Sequence, residues 1–177
     1  AVRFALDYPD RAGRLVLMGP GGLSINLFAP DPTEGVKNLG KFSAPPEGPT
    51  KEKLEAFLRV MVYDQSLVTD QLLEERWAQV TEPGVIESMK DLYNPAAIAK
   101  VSRGEVSFDL ADVAAPTLLF WGRDDRVSPV DMAIIPMRTI PDVELHVFPN
   151  CGHWAMIEQK ERWEAAVLSF LLRPPVA

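Results

Sequence analysis

The chain has 177 residues, 47% of them apolar and 24% charged, which fits a single globular domain with a sizeable core. Its formal net charge of −7 argues against nucleic acid or an anionic membrane as a partner. The lone cysteine, Cys151, excludes an internal disulfide framework and makes a reducing cytoplasm the expected compartment, and with only two histidines it leaves too few ligands for an ordinary structural zinc site.

No apolar run approaches the ~20 residues that a membrane-spanning helix needs. The opening AVRFALDYPD lacks the regions of a signal peptide and reads as the last turns of a helix. Val2, Ala5 and Leu6 share a face there, and Pro9 ends it. RLVLMG (14–19) follows as a strand, apolar throughout and so expected to be covered on both faces in a parallel sheet.

From about residue 25 to 108 strands are scarce. A proline-rich approach, FAPDPTEG and FSAPPEGPT, leads to two helical stripes. Leu54, Phe57, Leu58 and Met61 follow Thr50 as N-cap, and Leu72, Leu73, Arg76, Trp77 and Val80 follow Thr69. Such a block between core strands predicts a helical insertion, or lid, over 25–108.

PTLLFWG (116–122) is the second predicted strand and VELHVF (143–148) the third. The third alternates, Leu145 and Val147 against Glu144 and His146, which places it near a sheet edge. SPVDMAIIPMRTIPD between them supplies the crossover helix of a βαβ unit. Trp163, Ala166, Val167, Phe170 and Leu171 then recur at helical spacing ahead of Pro174 and Pro175, as in an amphipathic helix laid on a sheet. The predicted architecture is α/β, with residues 1–24 and 109–177 as core and 25–108 inserted.

The chemistry gathers at the ends of these strands. FWGRDDRVSP carries Asp124 and Asp125 just past the second, and His153 of FPNCGHWAMIE follows the third, 28 residues after Asp125. Functional groups of open α/β sheets sit at such carboxyl ends. Asp then His, one strand apart, matches the last two members of a Ser…Asp…His triad. The carboxylate would fix the tautomer of the imidazole, which would carry protons for a nucleophile, and Gly152 would let the backbone bend toward the strand ends. A loop histidine beside an acidic turn residue is the plainer alternative.

His146 lies within a strand and reads as structural, and Cys151, two residues from His153, reads as a buried, inert thiol. No serine has the flanking glycines of a nucleophile elbow. Ser24 in GLSIN has Asn26 where the second glycine belongs, and GPGG (19–22) has no helix after it to bind phosphate. Arg76 lies on the apolar stripe of its helix, where a guanidinium needs an anion or a water-filled cavity: a ligand carboxylate is the sharper reading, and a snorkelling side chain or an internal pair with Glu74 or Glu75 the plainer one.

The stretches FALDYPDRAGRLVLMGPGGLS, FAPDPTEG, VYDQSLVTDQLLEERW, WGRDDRVSP and LHVFPNCGHWAMIE are familiar together. Through them the chain resembles the α/β hydrolases, and most specifically the meta-cleavage-product hydrolases, carbon–carbon bond hydrolases of bacterial aromatic and steroid degradation. GRDDR with GHW is common to many α/β hydrolases, whereas MGPGGLS with YDQSL…RW is narrower. Residues 83–106 match the pattern poorly.

The resemblance implies that Asp125 is the triad acid, His153 the base, and Arg76 the lid arginine for the carboxylate of a 2-hydroxy-6-oxo-hexa-2,4-dienoate. Gly21, Met61, Phe108, Val127 and Trp154 are then pocket-lining positions. It also implies a small aromatic ring-cleavage product as partner, a homo-oligomeric assembly, and neither metal nor organic cofactor. The serine elbow of the family immediately precedes the helix with which this chain opens. The first strands, most of the oxyanion hole and the nucleophile are therefore expected outside residues 1–177, and this stretch alone is expected to be inactive. An ester or other acyl hydrolase, and a non-catalytic hydrolase-like fragment, are the rival expectations.

Overall fold

The computed structural model describes residues 1–28, 32–42, 47–92 and 108–174. Parts of the proline-rich approach (29–31 and 43–46) and of the predicted insertion (93–107) lie outside the described residues.

Three strands, β1 (Leu15–Met18), β2 (Thr117–Gly122) and β3 (Val143–Phe148), pair in parallel in the order β1-β2-β3. Leu17, Leu119 and Leu145 align across the register. β2 is buried along its whole length, as its unbroken apolar run requires. Because side chains alternate along a strand, β2 serves two cores. Leu119 and Trp121 pack with Val2, Ala5, Leu110, Val113 and Ile140 on one face, and Leu118 and Phe120 with Phe148, Cys151, Ala155 and Phe170 on the other. Each large apolar side chain so enclosed contributes roughly 1.5–3 kcal/mol. β3 is mostly half-buried and ends the described sheet.

The first helix, α1 (Val2–Asp7), buries Val2 and Ala5 and stops before Pro9, as predicted. Between β1 and β2 the described residues form α2 (Glu34–Phe42), α3 (Lys51–Met61), α4 (Asp70–Val80) and α5 (Val85–Leu92), with no strand. The two expected caps are present: Thr50 accepts from the Lys53 N–H (3.3 Å) and Thr69 from the Leu72 N–H (3.1 Å). Phe42, Leu54 and Leu58 form a third core, against which Leu73, Trp77, Val80 and Trp154 pack.

The crossover from β2 to β3 is a 3-10 turn, Val130–Ala133, running into α6 (Ile134–Thr139). After β3 come α7 (Ala155–Glu158) and α8 (Lys160–Leu171). Trp163, Ala166, Val167 and Phe170 face the sheet as predicted, but Leu171 remains 45% exposed. Successive helical residues are turned by about 100°, so seating Phe170 against β2 swings Leu171 onto the flank. Arg14, just before β1, donates to the Leu171 and Arg173 carbonyls and so closes the last turn of α8. None of the helices among the described residues is long and apolar enough to cross a membrane.

Candidate active site

The turn after β2 separates its two acids. Asp124 turns outward to Arg123 (3.3 Å), whereas the Asp125 side chain is 1% exposed. Asp125 Oδ1 accepts from the backbone N–H of Val127 (2.7 Å) and Ser128 (2.9 Å), and Oδ2 lies 2.7 Å from His153 Nδ1. The carboxylate is thus held by two amides while its free oxygen meets the imidazole. An ionised carboxylate only accepts, so Nδ1 carries the proton and Nε2 presents its lone pair, the tautomer a general base needs. Among the described residues no group hydrogen-bonds to Nε2.

Glycines make the approach possible. Gly19, at the end of β1, has φ +46°, and a Cβ there would lie 2.9 Å from His153 Cε1 and Nδ1 and 3.1 Å from Asp125 Oδ2. A side chain at Gly122 would overlap the carbonyls of Cys151 and Gly152. At Gly152 the expected reason gives way to another. Its φ is not among the positive ones; what it must lack is bulk, since a Cβ would sit 2.8 Å from the Met61 carbonyl oxygen and the Tyr63 nitrogen. The positive φ in this loop belongs to Asn150, at +51°.

Those neighbours belong to the end of α3, where a helix leaves its last carbonyls unpaired. The Met61 carbonyl accepts from the N–H of His153 (2.7 Å) and Trp154 (3.3 Å). Arg126, next to Asp125, donates to the Arg59 and Val62 carbonyls and also reaches Glu34 on α2. Glu158 accepts from the N–H of Gly152, Tyr63 and Asp64. Sequence reasoning assigned no part to Gly19, Arg126, Glu158 or the Met61 carbonyl. Only the MGPGGLS, GRDDR and GHWAMIE stretches, which contain Gly19, Arg126 and Glu158, carried any signal.

Arg76 of α4 borders a cavity of about 380 Å³ between helices α2–α5 and the segment after His153, lined mainly by apolar side chains, among them Phe42, Leu54, Phe57, Trp154 and Ile157. Neither candidate acid pairs with it: Glu74 binds Lys51 (2.6 Å) and Glu75 accepts from Gln71 (2.8 Å). Arg76 Nη1 donates to Gln79 (2.9 Å), its Cζ stands 5.8 Å from the Trp154 ring centroid, and its Nε is buried without a hydrogen-bond partner. A buried, unpaired guanidinium N–H is costly and points to an anionic ligand.

The other expected lining residues lie elsewhere. Met61 is buried at the α3 terminus, Val127 packs on Gly35 beside Asp125, Phe108 packs on the β1–β2 core, and Gly21 is exposed past β1. Ser24 hydrogen-bonds the Ile25 carbonyl (3.0 Å). His146 stays on β3 near Glu144. Cys151 is fully buried, and burial, aided by the carboxylates of Glu158 and Asp125, pushes its thiol up to about 12. Among the described residues no three His, Cys, Asp or Glu side chains gather to hold a metal ion.

A hydrogen-bonded aspartate and histidine at the carboxyl ends of neighbouring parallel strands, with a run of helices between β1 and β2, fits an α/β hydrolase, and the chain belongs to that family: the α/β-hydrolase fold pattern matches residues 1–160. Within it, the chain is 44% identical over 171 residues to the 2-hydroxy-6-oxo-6-phenylhexa-2,4-dienoate hydrolase of Burkholderia cepacia. It is 42% identical to the 2-hydroxy-6-oxononadienedioate/2-hydroxy-6-oxononatrienedioate hydrolase of Comamonas testosteroni. These alignments cover 97% of this chain and 58% of each relative. The meta-cleavage product hydrolase of Pseudomonas fluorescens, a solved structure at 32% identity, matches with a TM-score of 0.81 over 96% of this chain and 59% of its own. The family likeness carried by MGPGGLS and YDQSL…RW is borne out.

Proposed function

We propose that the chain is the larger part of a carbon–carbon bond hydrolase acting on a 2-hydroxy-6-oxo-hexa-2,4-dienoate, the ring-cleavage product of an aromatic or steroid catechol. The observation that carries this reading is the pairing of a proton-handling Asp125–His153 couple with a half-buried arginine whose Nε has no hydrogen-bond partner, beside a mainly apolar cavity. An acyl hydrolase needs only the couple and the nucleophile it serves; a substrate that carries a carboxylate at the far end of an apolar body also calls for a cation such as Arg76. Similarity to enzymes named for such dienoates supports the same substrate class.

In this reading the helices over 25–108 form the lid, and the dienoate carboxylate docks on Arg76. The dienol is first ketonised, so that the carbon leaving group can accept the electrons of the broken bond. His153 Nε2 then takes the proton of a serine hydroxyl, which on this reading lies on an elbow outside residues 1–177. Serine attacks the ketone, the carbon–carbon bond breaks, and the carbon fragment leaves as 2-hydroxypenta-2,4-dienoate after gaining a proton. Water, activated by the same imidazole, releases the acyl group as a carboxylic acid. Asp125 holds the tautomer and stabilises the imidazolium that forms at each step. The mechanism calls on no metal or organic cofactor.

The test uses the full-length enzyme and follows bleaching of the yellow dienolate. His153→Ala is expected to lower kcat by about a thousand-fold or more. Arg76→Ala is expected to raise KM by roughly ten- to hundred-fold, the loss of a charge-assisted hydrogen bond of about 1.5–3 kcal/mol. Turnover and binding unchanged in Arg76→Ala would remove the arginine from the site. A wild type that cleaves simple esters well and ignores the dienolate would overturn the substrate class.

A further inference from the structure

Glu158 belongs to neither the acid–base couple nor the Arg76 cavity, yet both its oxygens are committed to the backbone of the site. Oε1 accepts from the Gly152 N–H at 2.6 Å; Oε2 accepts from the N–H of Tyr63 at 2.7 Å and of Asp64 at 2.9 Å. Gly152 immediately precedes the base, and Tyr63 and Asp64 follow the end of α3. The Met61 carbonyl joins the same two segments from the opposite direction, through the N–H groups of His153 and Trp154. One side chain and one carbonyl therefore close a ring of hydrogen bonds around the residue next to the imidazole.

We infer that Glu158 is a positioning residue for His153, fixing the loop so that the ring meets Asp125. Three amide donors converge on one carboxylate, and an ionised carboxylate, which only accepts, satisfies them all. Glutamine of the same size cannot: with one oxygen and one NH₂, it turns a donor toward an N–H on one side of the ring. A base displaced by about 1 Å loses about a hundred-fold in rate. The kinetic consequence rests on the reaction proposed above; the structural one does not.

Glu158→Gln in the full-length enzyme tests this with two readouts. The first is the ¹H NMR signal of the His153 Nδ1 proton, driven far downfield by its bond to Asp125 and visible without substrate. The second is kcat and KM for the dienolate. A folded Glu158→Gln is expected to lose or broaden that signal, and kcat is expected to fall about ten- to hundred-fold with KM within about two-fold. Retention of the wild-type signal overturns the proposal whatever the kinetics, and so does a rise in KM with kcat unchanged. If Glu158→Gln does not fold, Glu158→Asp keeps the charge but is one methylene too short to span both segments, and the same two outcomes decide. A wild type that shows the signal but ignores the dienolate would defeat the proposed reaction while leaving the role of Glu158 to the NMR comparison.

Discussion

At Gly19 the backbone runs against the Asp125–His153 couple so closely that a methyl group has no room. Gly19→Ala therefore meets two penalties. Its φ of +46° costs an L-residue about 1–2 kcal/mol, and the added carbon must push the imidazole away from Asp125. The expected outcome in the full-length enzyme is a fall in kcat of about a hundred-fold with a modestly lowered melting temperature. Steady-state assay beside a thermal melt checks it, and near-wild-type turnover would show that the ring can retreat without loss. Gly19 was not readable in GPGG, because its role is defined by two side chains more than a hundred positions away. The pairing of Asp125 with His153 was readable, since both follow strands that were plain from their apolar runs and end side by side. Glu158 was not: nothing in AMIEQK says that its carboxylate will find amides at Tyr63 and Asp64, where a chain segment arrives only through the packing of α3.

Among the elements, the strands and the capped helices were readable and the rest of the insertion was not. β2 declared itself by an unbroken apolar run, α3 and α4 by threonine caps ahead of apolar stripes. α2, EGVKNLGKF, contains two glycines and follows a proline-rich stretch, so its propensity is poor. Packing holds it: Gly35 fits against Val127, Thr33 and Glu34 reach the turn after β2, and Phe42 enters the insertion core. The cap of α3 can be tested alone. Thr50→Ala leaves the Lys53 N–H without its acceptor at the end of the helix remote from Met61. Urea unfolding should show a loss of about 1 kcal/mol, with the Nδ1 signal of His153 unchanged.

In the whole molecule, the sheet is sandwiched between two cores, and a fully buried thiol lies in one of them. With its folded value up at about 12 against an ordinary 9.0, Cys151 holds its proton in the folded state after the unfolded chain has lost its own. The folded state then binds more protons, so stability falls as pH rises above the ordinary value and continues to fall until the folded thiol ionises. Below that window the contribution is constant. Urea midpoints measured from about pH 8 to pH 10.5 are expected to decline more steeply in the wild type than in Cys151→Ala, and parallel curves would contradict the assignment.

The Met61 carbonyl, finally, makes the inserted helices hard to exchange. Since the His153 amide is itself tied to the last turn of α3, a set of helices transplanted from another hydrolase must present an acceptor at that same spot, whatever cavity it brings. A graft that reshapes specificity but omits this one oxygen would deliver a well-formed binding chamber beside an imidazole that has come loose.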